Sequence, residues 1–204
     1  MAKNSDPKAL ASFLNCLSLL ENNVSLLYKE LSDKVSFEMA KSLFFTISID
    51  SRKHSVILNG VAAGLAKVSV KPKECEKKLG EAWRVNDSFH TEIKSQEKIT
   101  EEELPQLAQR LMVLESALGE EYYIFVQIQT LQLMTKEINQ LYNINIDSLK
   151  NVFASIIRDE EHHREILGMV QNLLTPKEQR KADGAPFVKY QNPDSWMEPG
   201  YPKE

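Results

Sequence analysis

An all-α fold is what this sequence predicts, and three observations predict it. Four long segments carry apolar residues in alternating steps of three and four, the spacing that lines one face of an α-helix. The strict apolar–polar alternation of a half-buried strand is hard to find. Glycine and proline, which interrupt regular structure, are scarce through most of the chain, with 7 and 8 copies in 204 residues. That length suits one domain, or one domain with an appendage, and is ample for an apolar core.

The first helix is expected over residues 6–35, with Leu10, Leu14, Leu17, Val24, Tyr28 and Leu31 on one stripe. The second is expected over 36–65, with Phe44, Ile47, Leu58, Val61 and Leu65. The third begins at Thr100-Glu-Glu-Glu103, where a hydroxyl and a glutamate three residues on satisfy each other's backbone N–H groups. It runs to about residue 139 on Leu104, Leu107, Leu111, Leu114, Leu118, Phe125, Ile128 and Leu131. The fourth, over 147–174, carries Leu149, Val152, Ile156, Leu167, Val170 and Leu174. At about 1.5 Å of rise per residue, each spans roughly 40–60 Å. Helices with so wide an apolar face need one another, since none is stable alone.

The connections predict the topology. Almost no residues separate segments one and two, which makes them an antiparallel hairpin, and the short turn at 142–147 makes another of segments three and four. Between the hairpins lie about 30 residues, 67–100, with a shorter helix expected over 73–95. Two hairpins joined by one long crossover form a ferritin-like four-helix bundle. The bundle is assigned to residues 1–174. Residues 175–204, rich in proline, glycine and polar residues but also holding Phe187, Tyr190, Trp196 and Tyr201, are assigned to an extended C-terminal arm. That arm packs either on its own bundle or on a neighbouring subunit, and a homodimer or higher homo-oligomer is expected.

Composition narrows the function. A formal net charge of −4 offers no basic stripe for nucleic acid. No apolar run approaches the roughly 20 residues needed to cross a bilayer, and the N-terminus lacks a secretory signature. Cys16 and Cys75 make no CxxC motif and imply no disulfide framework, so a cytoplasmic location is expected.

Each apolar stripe contains a polar gap. In the first helix Leu14, Leu17, Val24 and Tyr28 are completed by Glu21; in the second, Ser51 and His54 fill the space between Ile47 and Leu58, with Asp50 beside them. In the third Glu121 lies between Leu118 and Phe125, and in the fourth Glu160 and His163 lie between Ile156 and Leu167. Any one such residue alone reads as a surface residue in a misjudged register, but here all four sets lie near the middle of their helices. An ionised carboxylate in an apolar core costs several kcal/mol unless compensated. With no Lys or Arg in these gaps, a bound cation is the expected compensation, and oxygen and imidazole donors suit iron, manganese or zinc. Asp159-Glu-Glu-His-His163 allows two acid-x-x-His pairs, and helical phase selects Glu160 with His163 over Asp159 with His162. His90 fits no such pattern and reads as a surface residue.

Together these residues resemble the rubrerythrin branch of the ferritin-like superfamily. Glu21 followed seven residues later by Tyr28 resembles that family's first ligand helix. Gly119-Glu-Glu-Tyr122 resembles its third-helix signature, with Glu120 as the alternative to Glu121. The fourth helix, Arg158-Asp-Glu160-Glu-His-His163, is similar to its closing Glu-x-x-His. The resemblance covers roughly residues 8–172. It implies a non-haem iron protein, with one or two ions held by Glu21, His54, Glu121, Glu160 and His163, and redox chemistry of the peroxidase or ferroxidase type on peroxide or O₂. Tyr28 would bond to a ligand or to a bound oxygen species, or simply pack. The chain departs from the family in the second helix, where Ser51-Arg-Lys-His54 stands for Glu-x-x-His and Asp50 is a neighbouring candidate ligand. Ile124 also stands where the third helix would carry a further Glu. The paired Cys motifs of a rubredoxin site are missing, which implies an external electron donor. The alternative is a non-catalytic helical bundle with a degenerate or structural single-metal site.

Overall fold

The computed structural model describes the backbone of residues 7–133 and 146–173, and the side chains of 7–119 and 151–173. The chain divides into two units, Met1–Leu174 and Thr175–Glu204. The second, with the expected C-terminal arm, lies outside the described residues, as does most of the turn expected at 142–147.

The described residues form α1 (Pro7–Lys34), α2 (Glu38–Leu65), α3 (Pro72–Ser95), α4 (Leu104–Leu133) and α5 (Ile146–Leu173). The apolar stripes account for them. Leu14, Leu17, Val24, Tyr28 and Leu31 of α1, Phe44, Ile47 and Leu58 of α2, and Leu104, Leu111, Leu114 and Leu118 of α4 are buried almost without exposure. Each such side chain contributes about 1.5–3 kcal/mol on leaving water. Of the expected reciprocal cap, the glutamate half is present just before α4: the backbone N–H and the hydroxyl of Thr100 both donate to Glu103 Oε2, at 2.8 and 2.9 Å. No helix among the described residues is long and apolar enough to cross a membrane.

Contact pairs fix the directions. Ser18 meets Ser55 and Ser25 meets Ser48, so seven residues forward on α1 match seven back on α2, an antiparallel pair. These small buried side chains let the two backbones approach; Ser18 donates to the carbonyl of Ser55 and Ser48 to that of Ser25, each at 2.8 Å. His54 meets Asp159 and Asp50 meets His163, so α2 and α5 are antiparallel as well. Glu115 meets His163, and Gly119 lies beside Glu160, which makes α4 antiparallel to α5. Consequently α2 and α4 run the same way, and the chain must cross the full length of the structure between them.

α3 makes that crossing along α1. Cys75 near its start is bonded to Cys16, and near its end Lys34 donates to the carbonyl of Ile93 at 2.6 Å. Just beyond, Ile99 donates to the Lys34 carbonyl at 3.1 Å, which sets the chain at the start of α4. A bend at Gly80, whose φ of 53° favours a residue without Cβ, redirects α3 on the way. Two sequence expectations need correction. Cys16 and Cys75, expected to be unlinked, form a disulfide between α1 and α3; they lie 59 residues apart, so only packing of these helices brings them together. His90, read as a surface residue, is partly buried with Nε2 2.7 Å from the Asn23 carbonyl oxygen, which ties α3 to α1.

Candidate metal centre

Four helices send ionisable side chains to one buried level. Glu21 from α1, His54 from α2, Glu115 from α4, and Glu160 and His163 from α5 are each no more than 1 % exposed. Four of these five occupy gaps read from the apolar stripes. Their donor atoms form two overlapping triads, Glu21 with His54 and Glu160, and Glu115 with Glu160 and His163. Within each triad one ligand atom from every residue lies within 4.8 Å of the others. Glu160 belongs to both.

The distances show how the triads are built. His54 Nδ1 lies 3.0 Å from Glu160 Oε1 and 3.5 Å from Glu21 Oε1. His163 Nδ1 lies 3.0 Å from Glu115 Oε2 and 3.5 Å from Glu160 Oε2. Both imidazoles therefore turn Nδ1 inward, their ring centres 6.0 Å apart. Yet His54 Nδ1 and both Glu160 oxygens have no aligned hydrogen-bond partner among the described residues. Close atoms that fail to point at one another are what a set of donors converging on a common centre produces.

Outside the triads, the far nitrogens meet the rim. His54 Nε2 is 2.9 Å from Asp159 Oδ2, and His163 Nε2 is 3.6 Å from Asp50 Oδ2. Lys53 spans the two aspartates, with Nζ 2.7 Å from Asp50 and 3.0 Å from Asp159. Asp50, expected as a candidate ligand, thus belongs to neither triad. It sits about 100° around α2 from the buried face and meets the nitrogen of His163 that points away from Glu115. The phase reading of α5 is supported: Glu160 and His163 are buried, whereas Asp159 is partly exposed and His162 is exposed.

Glu115 was missed by the sequence reading. A stripe drawn through Leu114, Leu118 and Phe125 passes it by, whereas one through Ala108, Leu111 and Leu118 leaves Glu115 in the gap. A second signal was present too, because Glu115 precedes Tyr122 by seven residues, as Glu21 precedes Tyr28. The side chains of Glu120 and Glu121 lie outside the described residues. Tyr28, fully buried, donates its hydroxyl to Glu115 Oε1 and so joins α1 to α4; it also packs 6.1 Å from the Phe44 ring.

The electrostatics follow from burial and proximity. Burial opposes a charge on His54, but Glu160 and Glu21 beside it hold its pKa up to about 10. His163, likewise opposed by burial, is held up to about 12 by Asp50, Glu115 and Glu160. Glu160 is pushed up to about 7 by burial and by the nearby charge of Glu21, with the two imidazoles pulling the other way. Burial acts to raise Glu115 as well, yet His163, Glu160 and Tyr28 hold it below the usual range. Burial and the charge of Glu115 keep the Tyr28 phenol protonated well above its ordinary value. Two imidazoles and the carboxyl groups of Glu115 and Glu160, all with displaced pKa values and gathered with Glu21 at one buried level, make a site able to exchange protons for cations.

Compared with known proteins, the chain matches no family model, no curated protein and no solved structure.

Proposed function

We propose that this cluster is a two-ion, carboxylate-rich metal centre in a ferritin-like bundle, and that the protein is a non-haem iron oxidoreductase acting on peroxide or O₂. The observation that carries the proposal is the pair of overlapping triads sharing Glu160. Glu21 and His54 would hold one ion, Glu115 and His163 the other, and Glu160 would span both. Five oxygen and nitrogen donors without thiolate suit iron, with manganese or zinc as substitutes. Two ferrous ions would supply the two electrons that cleavage of a peroxide O–O bond requires.

The remaining residues prepare the donors. By accepting the Nε2–H hydrogen bond, Asp159 would leave the Nδ1 lone pair of His54 directed inward, while Asp50, 3.6 Å from Nε2 of His163, faces that ring as an ion-pair partner without a hydrogen bond. Lys53 holds both aspartates. Tyr28 fixes the Glu115 carboxylate and keeps its own proton at neutral pH. Electrons would come from an external donor, since both cysteines are taken up in a disulfide remote from any iron–sulfur pattern.

One observation favours a second reading, a helical bundle without turnover. With His54 and His163 protonated, the two imidazolium ions neutralise most of the buried carboxylate charge without metal. Anaerobic Fe(II) titration with elemental analysis decides between the two. The metal centre requires close to two equivalents per chain, and less than about a tenth of an equivalent after loading leaves only the metal-free bundle.

A further inference from the structure

α2 and α5 present the same sequence of roles to the cluster. Asp50, Ser51 and His54 stand on α2 in the order and spacing of Asp159, Glu160 and His163 on α5. The contacts cross between them, Asp159 to His54 and Asp50 to His163. Glu21 on α1 and Glu115 on α4 complete the two halves, each lying against the imidazole contributed by its hairpin partner. Among these matched positions the halves differ at one: where α5 presents Glu160, α2 presents Ser51.

Ser51 is 1 % exposed and lies one turn before His54 on the buried face of α2, at the i, i+3 spacing that Glu160 has to His163. Its hydroxyl has no hydrogen-bond partner among the described residues. A buried hydroxyl in that state needs a partner beyond the described residues, a place that a bound molecule can fill. The charge count agrees. Two divalent ions bring four positive charges, against three negative charges from Glu21, Glu115 and Glu160, while the neutral imidazoles add none. One positive charge is left, the charge a carboxylate at position 51 would cancel. Asp50 and Asp159 with Lys53 add one net negative charge, but at the partly exposed rim on the far side of the imidazoles, where water screens it. Shape agrees as well. Serine in place of glutamate leaves a hydroxyl where Cγ would stand and removes a carboxyl carbon with its two oxygens, which are the heavy atoms of formate.

Resting on the two-ion reading above, we propose that Ser51 marks a binding site for the carboxylate group of a small exogenous acid. That carboxylate bridges the two ions opposite Glu160 and accepts a hydrogen bond from the Ser51 hydroxyl.

The test uses the full chain loaded anaerobically with Co(II), whose visible absorption reports its ligands. Sodium formate is titrated at constant ionic strength, with sodium chloride as the control, and bound formate is counted by equilibrium dialysis. Saturable uptake of one formate per chain, with a spectral change that chloride does not reproduce, is the expected result. Ser51→Ala should weaken formate binding roughly tenfold, the loss of one hydrogen bond to a charged acceptor. Ser51→Glu should take two Co(II) and no formate, because its own carboxylate occupies the place. A wild-type chain that binds two Co(II) and ignores formate overturns this proposal alone, whereas a chain that takes up no Co(II) overturns the metal centre and this proposal with it. Formate binding by Ser51→Glu at wild-type affinity also overturns it. Should Ser51→Glu fail to fold by circular dichroism, Ser51→Ala decides, and unchanged formate affinity there refutes the assignment.

Discussion

Loading the proposed centre with metal should displace protons, and the protonation of its side chains gives the number expected. At pH 7 His54, held up to about 10, and His163, held up to about 12, each carry a proton that a metal–nitrogen bond cannot tolerate. Both inward nitrogens are Nδ1, and the outward Nε2 of His54 keeps its proton on Asp159, so one proton leaves per imidazole. Glu160, pushed up to about 7, adds part of a third as it takes up both ions. Two equivalents of Zn(II) or anaerobic Fe(II) should therefore release between two and three protons per chain. The apparent affinity should rise by about one power of ten per pH unit and per ion between pH 7 and 9, following mass action on one displaced proton for each imidazole. Calorimetric titration in two buffers of different ionisation enthalpy counts the protons, and a pH indicator gives an independent number. Release of less than one proton per two ions would refute the geometry, since it would mean that the imidazoles are neutral beforehand or are not the ligands.

Further predictions concern single side chains and the metal-free protein. Glu160→Ala should abolish binding of both ions, Asp159→Ala should weaken binding about 10- to 100-fold by freeing the His54 ring, and His162→Ala should change nothing; equal losses in all three, by elemental analysis, would contradict the assigned phase of α5. Tyr28→Phe removes a hydrogen bond to a buried ionised carboxylate and should cost about 1.5–3 kcal/mol, a fall in Tm of roughly 4–10 °C for a chain of this size, read by thermal unfolding. The metal-free protein should be most stable near pH 5–6.5. The raised pKa values of His54 and His163 stabilise fully below their unfolded value near 6.5, and that stability is lost as pH rises through about 10. Asp159 and Glu115, with lowered values, stabilise above their unfolded values near 4, and that part is lost in acid. A denaturant midpoint unchanged between pH 6 and 10 would count against the imidazolium pairs.

Much of the centre was legible in single helices. Glu21, His54, Glu160 and His163 each interrupt an apolar stripe, and a 3.6-residue period makes such an interruption visible without knowledge of any neighbour. The cost of a buried charge then makes the interruption meaningful. The crossover was legible too, because loop lengths bound which helix ends can meet, and a helix was expected where α3 runs. The choice of Glu115 was not, because a stripe repeats every seven residues and offers several equivalent gaps along α4. Which gap faces His163 depends on the axial register of α4 against α5, and packing between helices sets that register. The same holds for the outer contacts. Asp50 and Asp159 look alike beside their buried neighbours, and only the antiparallel pairing of α2 with α5 shows that each serves the histidine of the other helix. The bond between Cys16 and Cys75 depends on the path of α3 along α1, which no local pattern around either cysteine encodes. Periodicity along a helix is a local property, written residue by residue; the height and facing of one helix against another are collective, and they decided which of the legible side chains meet.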